Sequence, residues 1–208
     1  QVHQVNEQRV VTTPTTRCLT HIERNGMKPL ERLKTEVPAL SPNGKYVIVG
    51  IDPGIVNTGI VVYHIHLNIR AIFVYHTAIV GCDVQDIRAY LAQYAMDGPW
   101  PWTYLFVEAY RPRSHFDTDA RMGAAVNDIK RMGTNVYALD NTGVKNVVSR
   151  SLLELLNSWN FSTKSNHQDV RSAARIAILG MLKNETLNRL LAQVVFSKIN
   201  GDSEWVVN

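Results

Sequence analysis

Three acidic residues stand where a carboxylate could do chemistry: Asp52, Glu108 and Asp169. Asp52 closes an apolar, β-branched run from Tyr46 to Ile51 and is followed by Pro53-Gly54. Glu108 closes a second apolar run, Trp102 to Val107. Asp169 falls in the first turn of an alanine-rich helical pattern. If the two runs are neighbouring parallel strands, Asp52 and Glu108 lie side by side at one sheet edge, where like charges repel. A divalent cation relieves that repulsion, and an all-oxygen ligand set suits Mg2+, with Mn2+ as a substitute. Two such ions can activate a water and stabilise the leaving oxygen of an in-line attack on a phosphodiester. Each acid also has a plainer reading. Asp-Pro-Gly is ordinary turn chemistry, so Asp52 could simply cap its own loop. A carboxylate in the first turn of a helix is favoured by the helix dipole, which alone would account for Asp169.

The elements that must position these acids follow from periodicity. Short β-branched runs predict strands from Tyr46 to Asp52, from Thr58 to His66 and from Ile69 to Ala78, joined by tight turns as an antiparallel meander. Val84, Ile87, Leu91 and Tyr94, spaced three and four apart, predict an amphipathic helix over 83–96. A fourth strand spans 102–107, and Asp117 or Thr118 caps a helix reaching Met132. Asn135 to Leu139 forms a fifth strand, and Thr142 opens a helix running to Trp159. The last helix starts after Ser165-Asn166-His167, and its small residues Ala173, Ala174, Ala177 and Gly180 allow close packing on a sheet. Strands followed by alternating helices and strands imply an α/β fold, with parallel strands beside a meander and helices on both faces.

At 208 residues and 45% hydrophobic, the chain is long enough for one domain with a full core plus an appendage. Residues 1–44 lack aromatics, contain Thr-Thr-Pro-Thr-Thr and end at Pro42-Asn43-Gly44. They read as an N-terminal extension, flexible or draped over the surface, ahead of a compact domain at 45–208. An arm that embraces DNA or a second subunit is the functional variant of that reading. No apolar run approaches the roughly 20 residues that span a bilayer, and no basic-then-apolar leader is seen, so a soluble, cytoplasmic protein without a membrane partner is expected, in the host cytoplasm if the source is viral. Cys18 and Cys82 make no disulfide framework, and Cys18 with His21 lacks the second pair a zinc site needs. The net charge of +4 and a pI near 9.1 favour a polyanionic partner only mildly.

Four segments in order, G-I-D-P-G-I-V-N-T-G at 50–59, F-V-E-A at 106–109, T-G-V-K-N-V-V at 142–148 and H-Q-D-V-R-S-A-A-R-I-A at 167–177, resemble the RuvC group of Holliday junction resolvases, and most of all those of bacterial viruses. The resemblance covers Lys45 to Asn184. It implies an RNase H-like five-stranded mixed sheet flanked by helices, and a metal-dependent endonuclease, usually a homodimer, that nicks branched DNA symmetrically. By position it makes Asp52, Glu108 and Asp169 both the catalytic acids and the Mg2+ ligands, and gives Lys145 to the DNA backbone. Ser172 departs from the pattern, because many members carry a second acid three residues after the one matched by Asp169. Either Asp169 completes the site alone, with His167 assisting, or the chemistry is impaired. His167 reads equally well as an exposed helix-start residue.

Around this core, Arg171 and Arg175 share a helical face that could contact phosphate or merely be solvated. Arg111 and Arg113, in the Tyr-Arg-Pro-Arg-Ser-His segment after Glu108, are DNA-contact candidates at the edge of the site. Two other classes compete. Asp-x-Gly followed by Thr-Gly also opens the phosphate loop of sugar kinases and actin-like ATPases, but the second lobe those proteins need does not fit in this length. The other is an RNase H-like DNA-binding or structural protein that has lost its chemistry, an alternative that Ser172 keeps open.

Overall fold

The first strand, β1 (Lys45–Asp52), is apolar on both faces and nearly all buried, as a central strand must be. In this computed structural model the described residues are 41, 43–95, 103–110, 117–133, 135–161, 167–202 and 204–208, all within the unit Thr35–Asn208. β1 pairs antiparallel with β2 (Asn57–His66) in a register that sets Ile51 opposite Ile60 and Asp52 opposite Gly59. β2 continues the meander into β3 (Ala71–Val80). On its other side β1 runs parallel to β4 (Thr103–Glu108), which runs parallel to β5 (Val136–Leu139). The sheet has six strands in the order β5-β4-β1-β2-β3-β6. To the five expected strands it adds β6 (Val206–Val207), two residues pairing parallel with β3 at the far edge.

The turn after Asp52 is tied down by Thr58, which is fully buried. Its hydroxyl donates to the carbonyl of Gly81 at 2.6 Å and accepts from the amide of Gly54 at 3.4 Å. The segment carrying Asp52 is thereby fastened to the end of β3 as well as to its own hairpin partner.

Two helix layers cover the sheet. On one face lie α1 (Val84–Ala95) and α2 (Asp117–Lys130), whose Ile87, Leu91, Val126 and Ile129 pack with Val49, Ile51, Ile60, Leu105 and Val107. The other face carries α3 (Val144–Val147), α4 (Arg150–Leu155), α5 (His167–Lys183) and α6 (Glu185–Ile199), packed on Ile48, Val61, Tyr63, Tyr104 and Phe106. Burying one such aliphatic side chain contributes about 1.5–3 kcal/mol, so both layers are needed to offset the entropy of ordering the chain.

The expected continuous helix over 142–159 is broken into α3 and α4. Ser149 adopts an extended conformation, and its hydroxyl accepts from the amide of Leu152, so it starts a new helix instead of continuing the old one. Asn184 acts in the same way between α5 and α6, accepting from the amide of Leu187. The helix α6 was not expected from the sequence.

α5 lies unusually close to the sheet. A Cβ on Gly50 would overlap the carbonyl of Ala173 and come within 2.8 Å of the Ala177 methyl. A Cβ on Gly180 would overlap the ring of Phe106. Glycine on both sides of the contact, with Ala173, Ala174 and Ala177 wholly buried, sets the seat of the helix.

Candidate active site

Strand alternation decides which side chains meet α5. Successive residues of a strand point to opposite faces, so the face holding Tyr46 and Ile48 also holds Gly50 and Asp52. On β4 the same rule takes Tyr104 and Phe106 to Glu108. The parallel register pairs Ile51 with Val107, so Asp52 and Glu108 follow side by side at the carboxyl ends of their strands. Asp169 comes from above. A Cβ on Gly59 would overlap its carbonyl, so the first turn of α5 sits on the residue that pairs with Asp52.

The structure brings Asp52, Glu108, Asp169 and Ser172 together. Asp52 is half-buried and its carboxyl hydrogen-bonds that of Glu108, with the Asp169 charge close enough to act on Asp52. Burial first, then the hydrogen bond and charge of Glu108, then the charge of Asp169, push the Asp52 carboxyl up to about 8. Ser172 works against this, because its hydroxyl hydrogen-bonds Asp52 and favours the charged form. Near neutral pH the metal-free Asp52 carboxyl therefore holds a proton. Asn141, two residues past the end of β5, donates its side-chain amide to Oε1 of Glu108. Sequence reasoning passed over Asn141. The available signal was the polar run Asp140-Asn141-Thr142 at the carboxyl end of a parallel strand, which is where open α/β sheets gather ligand-binding groups.

The other candidates are placed less centrally. Lys145 is exposed on α3. Arg171 and Arg175 turn toward Trp159. His167 begins α5, but its side chain lies outside the described residues, as do Arg111 and Arg113 entirely. Among the described residues no group of three or more His, Cys, Asp or Glu side chains is arranged as a metal cage. A hydrated Mg2+ asks for less: it keeps several waters and takes one or two carboxylates. Asp52 and Glu108, hydrogen-bonded side by side, are a donor pair of that kind, and a cation there would take the place of the proton on Asp52. The residues fit such an ion through the pair, with Asp169 adding charge beside it.

No family model matches this chain, and neither does any curated protein. Among solved structures, Thermus thermophilus RuvC is similar at 15% identity, over 70% of this chain and 96% of that one, with a TM-score of 0.42. The large terminase nuclease from the thermophilic phage G20c is similar at 14% identity, over 65% of this chain and 82% of that one, with a TM-score of 0.36.

Proposed function

We propose that this chain is a metal-dependent endonuclease that hydrolyses phosphodiester bonds in Holliday junctions or other branched DNA, acting as a homodimer that nicks two strands symmetrically. The observation that carries the chemistry is the hydrogen-bonded Asp52–Glu108 carboxyl pair at the carboxyl ends of adjacent parallel strands, with Asp52 raised in proton affinity by burial, by Glu108 and by Asp169. The order of the four segments matched to the resolvases supports the choice of branched DNA. Asp52 and Glu108, assisted by Asp169, would hold Mg2+ or Mn2+, and the bound ions would supply water activation and stabilisation of the leaving oxygen.

The remaining residues prepare that site. Ser172 keeps a hydrogen bond on Asp52 and so favours the ionised carboxylate. Asn141 fixes the orientation of Glu108. Lys145, exposed on α3, binds a backbone phosphate, with Arg111 and Arg113 contacting the strand beyond Glu108. A second reading, a DNA-binding protein on this fold without catalysis, is favoured by Ser172 standing where a further acid would complete the ligand set.

Purified protein with Mg2+ and a synthetic four-way junction separates the two. Nicking that Asp52→Asn abolishes, with junction binding kept, supports the enzyme. Failure to cut junctions, flaps or forks with either Mg2+ or Mn2+ leaves the binding protein. Comparing rates on the three substrates ranks them.

A further inference from the structure

Three guanidinium groups converge on the indole of Trp159, which stands between α4 and α5. Arg171 lies over the ring at 4.0 Å, Arg150 at 4.8 Å and Arg175 at 5.8 Å. Arg171 also donates from Nε to the carbonyl of Trp159 at 2.8 Å, which fixes the indole against α5. Cation–π attraction of this kind can hold a guanidinium in place, but it does not neutralise it.

The charges do not balance locally. Arg150 is paired with Glu154 at 2.7 Å, in an exposed contact. Among the described residues neither Arg171 nor Arg175 has a carboxylate partner, and the Nε of Arg175 is buried without a hydrogen-bond acceptor. Two like charges four residues apart on a helix repel, and a buried donor left unpaired is unfavourable. Burial and the charge of Arg171 both lower the proton affinity of Arg175, which is the electrostatic mark of the same unpaired state. An anion beside these guanidiniums would offset their like charges, and a phosphate matches the fork of a guanidinium.

The position of the cluster relates it to the acids. Arg171 is adjacent in sequence to Ser172, which hydrogen-bonds Asp52, and Arg175 is one helical turn further along α5. We infer that Arg150, Arg171 and Arg175, held around Trp159, form a subsite for a backbone phosphate of the strand being cut, flanking the phosphodiester at Asp52 and Glu108. This inference rests on the proposed nuclease reading and deepens it. The subsite grips DNA through phosphate alone and carries no preference for base sequence.

The test is binding without cleavage. Fluorescence anisotropy with a labelled four-way junction in EDTA, over a series of KCl concentrations, gives the affinity and its salt slope for the full chain. Arg175→Gln should weaken binding about 5–10-fold near 0.1 M salt and flatten the slope of log Kd against log salt by about one unit. Arg150→Gln, a change at an exposed side chain, should act in the same direction if it folds as the wild type does, which a thermal melt checks. Junctions of different sequence should lose affinity equally. An unchanged salt slope in both Arg175→Gln and the Arg150→Gln/Arg175→Gln double variant, with wild-type melting, would overturn the subsite and leave the cluster as helix packing. Wild-type nicking in Mg2+ with such an unchanged slope would sink only the subsite. A flattened slope with no nicking by the wild type would sink the nuclease and leave a phosphate-binding surface.

Discussion

Gly59 lies directly opposite Asp52 in the β1–β2 ladder and directly beneath the backbone of Asp169. One residue without a side chain thus sets the height of α5 above the sheet at the point where the acids must meet. Gly59→Ala should lift the first turn of α5, since its Cβ would overlap the Asp169 carbonyl, a backbone atom that cannot rotate away. Overpacking of this kind costs about 1–3 kcal/mol, and nicking should fall by about 100-fold or more, because a displacement near 1 Å is enough to disable a positioned group. Gly123→Ala in α2, where a Cβ meets nothing within 4 Å, serves as the control and should stabilise by up to about 1 kcal/mol. Thermal melts beside junction-nicking rates read both effects.

The Asp52 carboxyl makes stability depend on pH. Its folded pKa is raised to about 8, against about 3.9 when unfolded. Between those values the folded chain binds more protons than the unfolded one, so stability falls as pH rises through the window, and below about pH 4 the difference vanishes. Metal-free protein should therefore melt at a lower temperature at pH 8 than at pH 6. Asp52→Asn should remove most of that dependence and raise the melting temperature at pH 8. Added Mg2+ should stabilise the wild type more at pH 8 than at pH 6, because it competes with the proton on Asp52. A pH slope unaltered by Asp52→Asn would mean that the pair does not hold the proton.

Much of this arrangement was legible in the residues. Continuous β-branched runs ending in Asp52 and Glu108 sufficed for two strands, and the order of elements implied a mixed sheet, whereas the parallel pairing of those two strands entered only as a condition that the register meets. The small residues of α5 indicated a close helix. Other features depended on contacts that a single sequence does not display. Ser149 sits inside the stretch read as one helix over 142–159, yet it caps a new helix, and Asn184 caps another that was not expected. Gly50 and Gly59 carry no local mark of contact, and only the seated helix shows that they are points of close approach. β6 is two residues long and exists because β3 has a free edge for it, which no local pattern announces.

Ser172 tests what the missing acid means. It lies three residues after Asp169, on the same side of α5, and its hydroxyl favours ionised Asp52. Ser172→Ala should raise the Asp52 pKa further, moving the acidic limb of the nicking-rate profile to higher pH. The loss of a hydrogen bond to a charged group is worth about 1.5–3 kcal/mol, or one to two pH units. Ser172→Asp should act through charge instead: metal-free stability should drop through added repulsion, and half-maximal nicking should need less Mg2+. If Ser172→Asp alone confers nicking on an inactive wild type, the chain is a binding protein one residue from catalysis.

Asn141 is the residue whose role was found only in three dimensions. Its amide reaches Glu108 from the loop after β5, while the amide of Ala109 donates to the Leu139 carbonyl at 2.7 Å, so strand and loop together aim the carboxylate. Partners that orient a metal-binding carboxylate typically account for 10–100-fold in affinity or activity. Asn141→Ala should therefore lower nicking by about that factor and raise the Mg2+ requirement, with little loss of junction binding. Asn141→Asp should be worse than Asn141→Ala, since it sets a further negative charge against Glu108 where an amide had donated. The Mg2+ dependence of the two variants measured side by side separates a lost hydrogen bond from added repulsion, and equal behaviour would remove Asn141 from the site.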